Sequence, residues 1–256
     1  MNNEILYDKN NSIAYITLNR AEKYNTFNEP FAKLLNDYLI LAERDYEVEI
    51  VVIKSMGKNF STGIDLSELN NKSGEDLRSF IKLMDLHNHT ILNMTKIVVT
   101  EVKGYTLANG AGLAFASDFT IAADNTLIGT TAINVGLLCL GPLVPLMKLV
   151  NKKTALDMIL TGKMLNAHEC LELGIVNMVV PLENLEAEGE KFVLQLLSKN
   201  REAIRLGKHA VNSLINMPID RSIDYMSELF FSLAMSTSSK EYVNKFLNRK
   251  KKGKNS

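Results

Sequence analysis

Two short stretches of this sequence join glycine to the end of an apolar run. Phe60-Ser61-Thr62-Gly63-Ile64-Asp65-Leu66 follows a β-branched segment at 50–53. Lys103-Gly104-Tyr105-Thr106-Leu107-Ala108-Asn109-Gly110-Ala111-Gly112-Leu113-Ala114 follows another at 97–102. Each places backbone N–H groups at the end of a strand without a ladder partner. The second also opens a small-residue helix, whose N-terminus carries partial positive charge. Side by side, such turns would offer a pair of N–H donors to an oxygen that gains negative charge during a reaction. Either turn alone is equally consistent with plain chain reversal.

Other chemistries find less support. Gly110-Ala111-Gly112-Leu113-Ala114-Phe115 begins like a dinucleotide-binding fingerprint, but Phe115 fills the third position, where close helix–strand packing needs Gly or Ala. No acidic residue follows at the spacing a ribose would need, since Asp118 and Asp124 come too soon. A phosphate-binding P-loop and a G-x-S-x-G nucleophile elbow are both absent. His87, His89, His168 and His209 lack metal-ligand partners at workable spacing, so no metal is expected. Cys139 and Cys170 form no C-x-x-C pair and fit a reducing cytoplasm.

The positioning elements alternate between strand and helix patterns. Strands are expected at 13–18, 50–53, 97–102, 119–121, 127–128 and 175–180, and amphipathic helices at 30–44 and 76–94. Helical patterns alone continue at 184–199, 201–215, 220–235 and 239–249. The expectation is an α/β core over 1–181 carrying the site, followed by a helical region over 182–256.

With 256 residues the chain can bury a substantial core, and 46% hydrophobic with 23% charged residues excludes disorder and disulfide miniproteins. Basic and acidic residues balance at 29 each, which argues against nucleic acid as a partner. Arg249, Lys250, Lys251, Lys252 and Lys254 crowd the last eight residues; without them the body carries 24 basic against 29 acidic residues, or −5. A basic end on such a body suits a small anionic ligand. The greasiest stretch, 133–150, is broken by Gly136, Gly141, Pro142, Pro145 and Lys148, so no membrane span is expected.

Taken in order, the two turns resemble those of the crotonase, or enoyl-CoA hydratase/isomerase, superfamily. The likeness covers most of the chain. Leu18-Asn19-Arg20-Ala21-Glu22-Lys23-Tyr24-Asn25-Thr26-Phe27 resembles the family's L-N-R-P-x-x-x-N-A-L segment, and 60–66 resembles F-x-A-G-A-D-L. The stretch 104–118 resembles G-x-x-x-G-G-G-x-E-L-x-x-x-x-D. Leu160-Thr161-Gly162-Lys163 with Gly174-Ile175-Val176 resembles the later L-T-G and G-L-V motifs, and Phe246-Leu247-Asn248-Arg249-Lys250 the C-terminal F-x-x-K-R.

The resemblance implies an α/β crotonase-like spiral of ββα units with a helical trimerisation region, and a homotrimer or dimer of trimers. It implies an acyl-CoA substrate, with coenzyme A entering as part of that substrate and no bound cofactor. Two backbone N–H groups would hold the thioester oxygen; by position they belong to Thr62 and Asn109. The coenzyme would curl against Lys23, Asn25, Thr26, Thr62, Gly63, Ile64, Asp65 and Gly110, with Lys245 and Arg249 meeting its phosphates.

One departure matters. Hydratases of the family carry two glutamates that activate water and deliver a proton, and at those places this chain has Gly112 and Ala132, neither of which titrates. Glu101 in an apolar strand and His87 in the preceding helix are the substitutes the sequence offers. Asp65, Asp118 and Asp124 read as caps of turns and helices. An enzyme with an atypical reaction is the leading expectation, a non-catalytic acyl-CoA binder or regulatory subunit the alternative. A ClpP-like protease would need a Ser-His-Asp set with no evident source here.

Overall fold

A computed structural model describes residues 4–69, 72–215 and 217–252, with the backbone alone for 249–252. The chain divides into two compact units, Met1–Lys191 and Phe192–Ser256. The division falls ten residues later than the pattern change at 181/182, because the segment just past 182 still packs on the first sheet.

In the first unit a six-stranded sheet runs in the order β1 (Ile5–Asn10), β2 (Ile13–Leu18), β3 (Ile50–Ser55), β4 (Ile97–Val102), β6 (Phe119–Ala123), β9 (Met178–Val180). The β1–β2 pair is antiparallel and every later pair is parallel. A second sheet joins β5 (Tyr105–Leu107), β7 (Leu127–Gly129) and β8 (Met164–Asn166). The six-stranded sheet is covered on both faces, as its continuous β-branched runs require. On one face Ala14, Ile16, Leu18, Val51, Ile53, Val98 and Val102 join the main core, shared with Phe31, Leu35 and Leu39 of α1 (Glu29–Arg44).

The remaining helices of this unit are α2 (Leu66–Leu69), α3 (Gly74–Met84), α4 (Leu86–Asn93), α5 (Asn109–Ala116), α6 (Leu140–Leu149), α7 (Lys152–Thr161) and α8 (Ala167–Glu172). Helix α9 (Leu185–Leu197) spans the division. The second unit continues with α10 (Arg201–Leu214), α11 (Ile219–Met235) and α12 (Thr237–Lys252), the helical region the pattern predicts. No helix among the described residues is long and apolar enough to cross a membrane.

One expected element differs. The helix predicted over 76–94 is two helices, broken at Asp85, whose φ −103° and ψ 0° leave the α-helical region. No Gly or Pro stands there. The break is held by tertiary contacts: the Met84 carbonyl, freed at the end of α3, accepts from Asn109 Nδ2 at 3.2 Å, and the His87 ring is hydrogen-bonded to the same backbone.

Candidate active site

The segments at 20–27 and 60–65 are tied together by backbone and side-chain bonds. Phe27 N–H donates to Gly63 O at 2.8 Å, and Asp65 N–H donates to Phe27 O at 2.9 Å. Arg20 clamps both: one Nη donates to Thr26 Oγ1 at 2.7 Å, while the other meets Asp65 Oδ2 at 3.0 Å. Asp65 also accepts from the Ser67 hydroxyl at 2.6 Å. These bonds hold its carboxyl below the ordinary range, Ser67 contributing most. The expectation that Asp65 caps a turn holds, its Oδ1 accepting from Ser67 N–H at 3.3 Å, whereas Asp118 instead ties strands, accepting from Val98 N–H of β4 at 2.8 Å.

The same ladder decides which amide faces outward. Thr62 N–H donates to Tyr24 O at 3.2 Å, and Gly63 N–H to Ser61 Oγ at 3.3 Å. Ile64 forms a parallel bridge with Phe27 in which its neighbours make both bonds, so its own N–H points away from that partner. Among the described residues nothing accepts from Ile64 N–H. The expectation of a free Thr62 amide is therefore corrected: the uncommitted donor in this turn is two residues on.

The second turn delivers Asn109 as the first residue of α5, whose N–H has no intrahelical acceptor. Ala108 before it sits at φ 49° and ψ −119°, a region L-residues avoid, with no side-chain cap on the helix. Ala108 N–H is tied to Gly129 O at 2.9 Å. Asn109 itself is helical, so the unusual angles that replacement of a family glycine would impose fall on Ala108 instead.

The two turns meet closely. Gly63 has φ +95°, and a Cβ there would stand 2.5 Å from Ala108 Cβ and 3.3 Å from Asn109 N. A Cβ on Gly110 would stand 2.6 Å from Ser61 O. Ile64 and Asn109 are thus the places where two uncommitted N–H groups approach one another. Thr62 and Gly63 adjoin this point, Thr62 tied to the 20–27 segment through Tyr24 O, while the Thr26 hydroxyl is taken by Arg20 and Lys23 is exposed.

Asn25 does not line it. Its buried side chain accepts from Arg20 N–H at 2.8 Å and donates to Met56 O and Asn59 O at 3.1 and 3.0 Å, which leaves no polar atom for a ligand. Lys245 belongs to the second unit, its Nζ 5.6 Å from the centre of the Tyr242 ring. The side chain of Arg249 lies outside the described residues.

Both sequence-derived acid/base candidates are corrected as well. Glu101 alternates with Thr100 and Val102 along β4 and points to the opposite face. Thr100 Oγ1 lies 2.9 Å from Thr120 Oγ1, which donates to Ala114 O at 3.1 Å, so α5 and the turn pair are on Thr100's side. The Glu101 carboxylate instead abuts Gly189 of α9, beside a cavity of about 550 Å³ that Lys54, Lys58 and Lys103 also line. His87 is buried against Phe27, ring centres 5.5 Å apart, and desolvation lowers its pKa to about 4. It is a neutral, enclosed ring at physiological pH.

The carboxylate that does reach the turn pair was absent from the sequence reading. Asp85 Oδ1 accepts from Asn109 Nδ2 at 3.1 Å. It lies over Gly141 near the start of α6, where any Cβ would collide with it. Cys139 is close enough for Asp85 to help raise its thiol pKa, burial being the larger cause. No sequence signal marked Asp85: it has Lys82 three residues before it and His89 four after it, the ordinary setting of an acid on a helix surface. Gly112, which the family resemblance would align with a hydratase glutamate, faces Pro142, whose Cγ would be 2.9 Å from an added Cβ. Among the described residues no group of His, Cys, Asp and Glu could hold a metal ion.

The enoyl-CoA hydratase/isomerase family model matches residues 8–254. The chain is 31% identical over 253 residues to a trans-2-decenoyl-[acyl-carrier-protein] isomerase of Streptococcus mutans, covering 97% of this chain and 96% of that protein. It is 30% identical over 249 residues to a crotonyl-CoA hydratase of Syntrophomonas wolfei, covering 96% of each. The crystal structure of an enoyl-CoA hydratase of Mycobacterium smegmatis superposes with a TM-score of 0.93 at 28% identity, covering 96% of each chain.

Proposed function

The chain belongs to the enoyl-CoA hydratase/isomerase family, and on that premise we propose that it moves the double bond of an enoyl thioester rather than adding water across it. One observation supports this reading: Ile64 and Asn109 lie where the two turns meet, their N–H groups without an acceptor among the described residues, and the family resemblance aligns Gly112 and Ala132 with the places where hydratases carry glutamates. Two aimed N–H groups stabilise the oxyanion that forms when a proton leaves the acyl chain, a contribution of about 10²–10³ in rate for one such donor. Hydration needs more than that, because a water must be activated as well as a carbon protonated. Bond migration needs a single proton carrier.

In this reading Lys23, Thr26 and Thr62, which the family resemblance aligns with the coenzyme-binding segments, would meet the carrier, coenzyme A or a carrier-protein pantetheine. Ile223, Phe230 and Phe231 of α11 stand exposed in the single chain, which supports self-association of the kind the family's trimer implies.

The test is a panel of crotonyl-CoA and short- and medium-chain 3-enoyl-CoA thioesters, with binding followed by calorimetry and products by chromatography. Conversion of 3-enoyl to 2-enoyl thioesters without accumulation of 3-hydroxyacyl product is expected. Hydration of crotonyl-CoA faster than isomerisation would reject bond migration. Binding without any turnover would leave an acyl-CoA binder, and no binding would reject the thioester reading altogether.

A further inference from the structure

The loss of both glutamates leaves a site with an oxygen cradle and no recognised proton carrier, yet a carboxylate stands beside it. Asp85 occupies the N-cap position of α4, where an Asp normally accepts from the first-turn amides, but it makes no such bond. Among the described residues its carboxylate has one hydrogen-bond partner, Asn109 Nδ2 at 3.1 Å. Asn109 therefore serves two ends: its main chain contributes a donor to the cradle, and its side chain holds the acid one asparagine length away. The start of α6 accommodates the carboxylate by having Gly141 beneath it. Asp85 is half-buried, so it is desolvated without being sealed off.

The geometry points to Asp85 as the proton-transferring residue of this site, positioned by the Asn109 side chain. This rests on the thioester reading above. With a 3-enoyl thioester bound, the carboxylate takes a proton from the α-carbon. The electron pair of that C–H bond becomes a carbon–carbon double bond as the carbonyl pair moves onto oxygen, between the Ile64 and Asn109 amides. The protonated Asp85 then returns its proton to the γ-carbon, the carbonyl re-forms, and the double bond lies between the α- and β-carbons. Atoms balance with no oxidant and no added water.

The electrostatics suit the task. Burial pushes the Asp85 carboxyl upward, opposed by the Asn109 hydrogen bond and by His89. The flanking helices also carry Lys82 on α3, His87 on α4 and Lys148 on α6; Cys139, just before α6, has its thiol raised by burial and, in smaller part, by Asp85. A carboxylate whose pKa lies above its ordinary range is a stronger base toward the α-proton.

The experiment compares wild type with Asp85→Asn and Asn109→Ala, using vinylacetyl-CoA and a medium-chain 3-enoyl-CoA as substrates. Saturated acyl-CoA in deuterated water reports α-proton exchange. Asp85→Asn should bind saturated acyl-CoA within about threefold of wild type, while isomerisation falls by about 10²–10⁴-fold and exchange stops. Asn109→Ala keeps its backbone N–H. It should shift the acidic limb of kcat/KM to higher pH, since the hydrogen bond favouring the ionised carboxylate is gone; a merely structural asparagine would leave that limb in place. This second variant reads the inference even if Asp85→Asn fails to fold. Undiminished turnover by Asp85→Asn, an unmoved limb in Asn109→Ala, or wild type that binds thioesters without exchange or turnover would each overturn the role of Asp85 alone. Wild type that binds no thioester removes the reading it rests on as well.

Discussion

The Glu101 carboxylate rests on the bare backbone of Gly189: a single methyl group at 189 would occupy the space of its Oε1. This pairing closes the first turns of α9 onto the back of the sheet. It also strips water from an acid whose nearest charges are mixed, Lys54 and Lys103 on one side and Glu186 and Glu190 on the other. What looks in sequence like a catalytic acid in an apolar strand is a packing acid on the wrong face for catalysis.

Burial raises the Glu101 pKa to about 7 from an ordinary 4.5. The folded chain holds this proton more tightly than the unfolded chain does. Its contribution to stability is therefore full below about 4.5 and lost as pH rises through about 7. The loss amounts to roughly 3 kcal/mol. Urea unfolding between those limits should show wild type weakening with pH and Glu101→Gln changing far less; parallel curves for the two would refute the assignment.

Gly189→Ala should destabilise the protein by about 1–3 kcal/mol, the range for overpacking a filled site. Pairing it with Glu101→Ala should recover most of that loss, because the colliding carboxylate is gone. Additive losses in the double mutant would mean that the two residues do not meet.

Gly63→Ala is expected to disable the oxygen cradle. The position has φ +95°, and the new methyl would press on Ala108 and on the Asn109 amide. Turnover of enoyl thioesters should fall by about 10²–10³-fold, the scale of losing one cradle donor. Thr62→Ala keeps every main-chain donor and should cost far less; equal losses from the two would mean that the Gly63→Ala defect does not arise from the cradle.

Ala108→Gly should raise stability by about 1 kcal/mol. Relief of a positive-φ strain of about 1–3 kcal/mol outweighs the added freedom of glycine in the unfolded chain. A lower melting temperature for this variant would show that the Ala108 methyl packs usefully despite its backbone angles.

Gly112→Glu should fail to restore hydration of crotonyl-CoA and should cost about 1–3 kcal/mol, since Pro142 fills the space its side chain needs. Adding Pro142→Gly should recover part of the stability. Hydratase activity from the single substitution would show that the start of α6 yields more readily than its packing suggests.

Legibility was uneven for physical reasons. The strands of the six-stranded sheet from β2 onward announce themselves, since β-branched runs between breakers have few other uses. Helix α6 lay hidden in the greasy stretch around Pro142 and Pro145, where two prolines blur any helical period. The break at Asp85 left no mark at all: the segment from 76 to 94 keeps its helical periodicity through that residue, and the interruption comes from Asn109, 24 positions away in the chain.

The residue string alone is enough for the family and the glycine turns, because these are matters of residue type at fixed spacing. Which amide of 62–64 stays uncommitted depends on how Phe27 pairs across the ladder, and which face Glu101 occupies depends on where α5 packs. Asp85 enters the site through a contact with Asn109 that neither residue's neighbours foretell. Hydrogen-bond partners and strand faces are allotted between segments distant in the chain, so they exist only once those segments are folded against each other.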